Sequence, residues 1–159
     1  MTHVLVLLLA LLIGVVAGLR ALTPPAVVAW GAALGWINLA GTWVSWMASW
    51  ITVAILTVLL VVELITDQLP KTPSRKTTAQ FATRLITGGF AGAVIGTAWG
   101  YTLGGVGAGV VGAVLGTLGG AQVRGALAAK FGKDLPAALI EDVIAVGGGF
   151  LVVYLASVL

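Results

Sequence analysis

Five carboxylates and three arginines carry most of the chemistry this chain has to offer. The acids are Glu63, Asp67, Asp134, Glu141 and Asp142. Glu63 and Asp67 stand four residues apart, which puts them on one face of a helix. Glu141 and Asp142 open the last long apolar segment, and Arg20, Arg84 and Arg124 lie at the ends of others. Carboxylates and guanidiniums at matched depth can form ion pairs that pin helix ends together. They can equally hold a substrate, an ion or a proton, and acid pairs can do general acid–base work or hold a divalent cation. The set Arg20, Glu63, Asp67, Arg84, Arg124, Glu141 and Asp142 is therefore the candidate substrate- or ion-binding group. Glu63 is the most informative member. An acid at a helix C-terminus opposes the helix dipole, and desolvation opposes its charge further. An arginine, a bound cation or a proton would have to offset both costs.

Other chemistries are thin. There is no cysteine, which removes thiol nucleophiles and Cys-ligated metals. The single histidine, His3, is terminal, so a Ser-His-Asp triad or a His-based metal site within one chain is not supported. Nothing calls for a cofactor, and whether a metal binds is left open.

The elements that must position these residues are apolar. The chain has 159 residues, is 60% hydrophobic and only 8% charged. A soluble domain carries about 25% charged residues. Six segments approach the length of about 20 residues that a transmembrane helix needs: 4–19, 24–40, 44–66, 81–101, 103–123 and 136–158. The expected fold is an all-α transmembrane bundle, one domain over 1–159, with six helices in three hairpins. The N-terminal run has no basic residue ahead of it, so it reads as a retained helix rather than a signal peptide.

Six spans place the connections at 20–23, 67–80 and 124–135 on one side. All eight basic residues (Arg20, Lys71, Arg75, Lys76, Arg84, Arg124, Lys130 and Lys133) then face that side. A five-span arrangement with 24–40 re-entrant scatters them over both. The positive-inside rule makes the basic side cytoplasmic and puts both termini outside, in a multi-pass protein of the inner (plasma) membrane. Net charge of +3 is thus an orientation signal and not a nucleic-acid footprint. Loop 68–80 is a solvated turn, with Lys71, Arg75 and Lys76 fewer than the four or more basic residues expected of an anionic-lipid patch. Trp36, Trp43, Trp46, Trp50, Trp99 and Tyr101 gather at the opposite side as an interfacial belt, with Trp43, Trp46 and Trp50 spaced for one helix face.

Glycines recur every fourth residue at Gly88, Gly92, Gly96, Gly100 and Gly104, then at Gly105 and Gly109, and at Gly112, Gly116 and Gly120. Small residues at this spacing let helices approach closely. They suit a tight hairpin of the fourth and fifth helices, and also a homodimer or higher homo-oligomer. Gly147–Gly149 weaken the middle of the last helix and suit a kink, a close neighbour or a hinge. Pro24, Pro25 and Pro136 sit where helices begin. Free N–H groups at the start of the second helix, with Arg20, could hold an anion.

These residues also carry a resemblance. The turn Gly18-Leu-Arg-Ala-Leu-Thr-Pro24 resembles the G-L-R-x-x-x-P turn of a family of small bacterial membrane proteins known as a domain of unknown function. Glu63, Asp67 and Pro70 resemble its E-x-x-x-D-x-x-P pattern, Thr83–Arg84 its T-R dipeptide, and Leu139, Glu141, Asp142 and Val143 its L-x-E-D-V pattern. The resemblance implies a helical membrane protein and assigns no activity. Three functions stay open: a transporter or channel for a small ion, anion or lipid headgroup; a structural or accessory subunit; and a lipid-modifying enzyme at the interface, for which no nucleophile motif is present. Lipid is the expected partner, and nucleic acid is not.

The orientation is directly testable. Of two reporters fused after Leu159, one that works only outside the cytoplasm should be active and one that works only in the cytoplasm should be silent. Activity confined to the cytoplasm overturns the six-span arrangement.

Overall fold

The structure, a computed structural model, describes residues 1–69, 74 and 76–159. The remaining part of the 68–80 loop, including Lys71, Arg75 and the Pro70 of the E-x-x-x-D-x-x-P pattern, lies outside the described residues. The described residues form six α-helices: α1 (His3–Leu19), α2 (Thr23–Ala33), α3 (Trp50–Thr66), α4 (Thr78–Ala98), α5 (Thr102–Phe131) and α6 (Asp134–Val158). A short 3-10 turn, Ser45–Ala48, precedes α3. By length and composition α4, α5 and α6 can each cross a membrane, while α1 and α3 are shorter apolar helices.

The second span departs from expectation. Segment 24–40 was expected to be one helix, yet α2 has 11 residues, about 16 Å, against a hydrocarbon core of about 30 Å. Gly35 stops it. With φ at 76° it takes the left-handed conformation at the position just past the cap. The Trp36 N–H then donates to Gly31 O at 2.8 Å and the Gly35 N–H to Ala32 O at 3.2 Å, closing a two-bond helix terminus. The chain continues without regular structure to Val44, burying Ile37, Leu39, Val44 and Met47. Irregular backbone inside a membrane would need such cover. The segment expected as one helix over 44–66 is likewise split by the 3-10 turn. Trp43, Trp46 and Trp50 therefore do not share one helix face. Trp43 and Trp46 pack on Phe90, and Trp50 meets Trp30 edge-on.

The glycine series is used within one chain. α5 lies between α4 and α1. A methyl on Gly88 or Gly92 would strike α5 at Ala113 or Gly105, and one on Gly105 or Gly109 would strike the α4 backbone in return. Farther along α5, Gly112 and Gly116 lie against Leu11 and Val15 of α1, which approaches through its own Gly14 and Gly18. The faces expected to join two copies are thus filled by the chain's own helices. Two members of the series do other work. Gly100, expected on the packing face, has φ of 79° and open space around it. It ends α4 as Gly35 ends α2, with Tyr101 N–H donating to Gly96 O at 2.7 Å. Gly120 lines a cavity described below. α6 is helical throughout Gly147–Gly149, so the segment is not unwound, and Gly149 packs on Val27 and Thr23 of α2.

Packing this close has a measurable signature. Gly112→Leu should lower stability by at least the about 1–3 kcal/mol typical of overpacked cores, because the new side chain meets the α1 backbone. Gly107→Leu, where a Cβ meets nothing within 4 Å, should be near neutral. Thermal unfolding in detergent compares them, and equal melting temperatures overturn the α1–α5 contact.

Candidate functional site

α1 and α3 end, and α2 and α6 begin, around one charged cluster. Arg20 stands in the three-residue linker between α1 and α2 and has no exposed surface. Its Nη1 lies 2.6 Å from Asp67 Oδ2 and 3.5 Å from Glu141 Oε2, and its Nε donates to Asp142 Oδ1 at 2.6 Å. Nη1 also donates to Leu19 O, at the end of α1, at 3.1 Å. Gln68 Nε2 donates to the second oxygen of Asp142 at 3.0 Å.

Glu63 answers a different need. Its two carboxylate oxygens accept from the N–H groups of Ala21 and Leu22, at 2.7 and 2.8 Å. Thr23-Pro24-Pro25 starts α2 immediately afterwards, so Glu63 sits at the positive end of that helix. The partner expected for Glu63 was an arginine, a cation or a proton. Two backbone amides bind it directly, with the charges of Arg84 and Arg20 close by, and the anion expected at the start of α2 is Glu63 itself. Arg84 supplies the complement. From α4 its Nη1 donates to Gly18 O at 2.8 Å and Ala17 O at 3.4 Å. A cation therefore caps the negative end of α1, and an anion caps the positive end of α2.

Arg124, on α5, closes the cluster. Its Nη1 donates to Asp67 Oδ2 at 2.8 Å and to Glu141 Oε2 at 3.2 Å. Its Nε and Nη2 hold the two oxygens of Asp134 at 3.0 and 2.7 Å. Asp67 Oδ2 is shared between Arg20 and Arg124, which offsets its position as the C-terminal cap of α3. All seven candidate residues meet here. Asp134 and Gln68 join them without having been selected: Asp134 sits in a connection that reads as a loop, and Gln68 carries no charge. Among the described residues no group of three or more His, Asp or Glu side chains is disposed to hold a metal; the carboxylates are arranged around guanidiniums.

Beside the cluster, α1, α5 and α6 line a half-open cavity of about 280 Å³. Leu19, Gly119, Gly120, Val123, Ile140 and Ile144 make most of its wall apolar, and Arg124 and Glu141 are its charged lining. The cluster thus has a buried side at Arg20 and a side that borders an open space.

Two substitutions separate these roles. Arg20→Met leaves Asp67 and Asp142 short of a buried counter-charge, and should cost about 3–5 kcal/mol. Glu63→Gln removes one of two acceptors at the start of α2, which should cost about 1–3 kcal/mol through an unsatisfied N–H. Unfolding in detergent reads both. A Glu63→Gln protein as stable as the original overturns the capping role.

No curated protein and no solved structure matches the chain. A family model does, over residues 7–158. That range contains the whole cluster and all six helices apart from a few terminal residues, and the chain belongs to the family described as Domain of unknown function (DUF4126).

Proposed function

We propose that the chain is a small membrane carrier, and that the working part of its site is the Arg124–Glu141 side of the cluster. The observation that supports this is the cavity: Arg124 and Glu141, both paired within the cluster, stand at the edge of an almost wholly apolar space lined by α1, α5 and α6. Charged groups within a membrane protein mark substrate paths when they face a cavity. The substrate class this favours is a small solute with both an apolar and a charged part, such as a lipid headgroup with its chain. The exposed apolar faces of α3, α5 and α6, with Val58, Val111 and Val143 among them, suit contact with lipid.

A second reading has its own support. Arg20 has no exposed surface and its guanidinium is surrounded by three carboxylates. That half of the cluster is suited to locking helix ends together, as a structural subunit would need. The two readings divide the cluster rather than compete for all of it.

Flux decides between them. The purified chain would be reconstituted in liposomes with a single-chain phosphate amphiphile carrying a nitrobenzoxadiazole dye, and its transfer between leaflets followed by dithionite quenching. Arg124→Gln combined with Glu141→Gln removes both charged residues of the cavity lining, while Asp67 keeps Arg20 and Asp134 is left to water. The expected result is transfer by the original protein and none by the folded double variant. Equal transfer by both sinks the carrier reading and leaves the structural one.

A further inference from the structure

One contact in the cluster differs from the others in what opening it would expose. The carboxylate of Asp134 meets Arg124 through two parallel hydrogen bonds, a fork on a fork. Its side chain is 61% exposed, whereas those of Asp67 and Glu141, the other partners of Arg124, are 17% and 7% exposed. Releasing Asp134 strands no buried carboxylate. Asp134 also has somewhere to go. It is the first residue of α6, whose N-terminal amides attract a carboxylate. Gly132 ends α5 in the left-handed conformation and Lys133 is extended, so the linker that carries Asp134 is short. Lys130 and Lys133 flank it and are exposed.

We infer that Asp134 is a built-in stand-in for the ligand. The ligand is a single-chain amphiphile with a forked oxyanion head, a carboxylate or a phosphate. Its head replaces Asp134 on Arg124, and its chain fills the cavity between α1, α5 and α6. This deepens the carrier reading and rests on its choice of Arg124 and Glu141 as the working side.

Charge balance argues for exchange over addition. The cluster already sets five carboxylates against three guanidiniums. A further anion would enlarge that excess in a poorly hydrated place. An oxyanion that turns Asp134 out to water leaves the number of anions on Arg124 unchanged. Guanidinium geometry fits carboxylate and phosphate alike, because both present two oxygens to its paired N–H groups. A cationic head would have to sit against Arg124 with no such pairing. Size selects the tail. About 280 Å³ lies just below the range of ligand pockets, about 300–1,000 Å³, which suits one chain and not two. Gly119 and Gly120 keep the α5 wall low, so that the chain can lie against the helix backbone.

Binding of cis-parinarate, a fluorescent single-chain carboxylate, to the full chain in nanodiscs of zwitterionic lipid tests the inference. Dodecyl phosphate should displace the probe, whereas inorganic phosphate and dodecyltrimethylammonium should not. Asp134→Asn removes the competing carboxylate and should tighten binding about ten-fold; Arg124→Lys keeps the charge but loses the fork and should weaken it about ten-fold. Gly119→Leu should abolish binding while preserving the fold, since a Cβ there meets nothing within 4 Å and its side chain enters the cavity. Unchanged or weaker binding by Asp134→Asn overturns the stand-in. Equal competition by inorganic phosphate overturns the role of the tail, and equal competition by the ammonium amphiphile overturns the role of the head. The carrier reading fails separately: if the original protein moves no amphiphile but shows this binding pattern, transport falls and the binding site stands.

Discussion

A guanidinium with no exposed surface must be neutralised where it stands, and in this chain that requirement falls on Arg20. The residue sits between two helices, in a linker too short to let it snorkel to water. Asp67 from α3 and Glu141 and Asp142 from α6 have to reach it, so both helices must be present at fixed depth before the α1–α2 turn is stable. The same turn leaves carbonyls at the end of α1 and amides ahead of α2 without intrahelical partners. Arg84 from α4 takes the carbonyls and Glu63 from α3 takes the amides. One three-residue linker thereby fixes the positions of α3, α4 and α6. Its charge pattern follows the helix dipoles: cation at the C-terminal end, anion at the N-terminal end.

Close glycine packing makes this reach possible. Gly18 belongs to both systems. It lies against Gly116 and Thr117 of α5, and its carbonyl accepts from Arg84. A side chain at Gly18 would push α5 away from the very turn the charges organise. The backbone approach and the ion pairs are thus one arrangement seen from two sides. The cavity adjoins this contact: Val15 and Leu19 of α1 and Gly116 of α5 stand on its wall, and at Gly119, where a Cβ would meet nothing within 4 Å, the space is open.

Much of this was legible from residue types and spacing. The all-helical architecture follows from the long apolar runs, and the gathering of the seven charged residues follows from their matched depth at the ends of those runs. Three features were not legible for identifiable reasons. Hydropathy does not register a helix stop, so Gly35 and Gly100 read as apolar or small residues when each is a left-handed terminus. Side-chain spacing says nothing of backbone donors, so the partners of Glu63 were sought among cations alone, whereas peptide N–H groups bind it directly and Arg84 and Arg20 act on it only through their charge. The faces of a glycine series look alike in one dimension. Only the three-dimensional arrangement shows that Gly92 meets Gly105 and Gly112 meets α1, leaving neither for a second copy.

The distribution of exposure across the charged pairs divides the cluster into two parts. Arg20 is fully covered, Arg124 is 16% exposed, and Asp134 is 61% exposed. Breaking a fully buried pair leaves an uncompensated charge in a medium of low polarity and is strongly opposed. Breaking an exposed pair exchanges a protein partner for water at small net change. The cost of rearrangement therefore falls steadily from the α1–α2 turn towards the α5–α6 linker, although the same residue types are used throughout. Asp67 joins the two regimes, because one of its oxygens is shared by Arg20 and Arg124. If Arg124 turns towards a new anion, Asp67 keeps its partner in Arg20, and the lock is held while the outer pair moves.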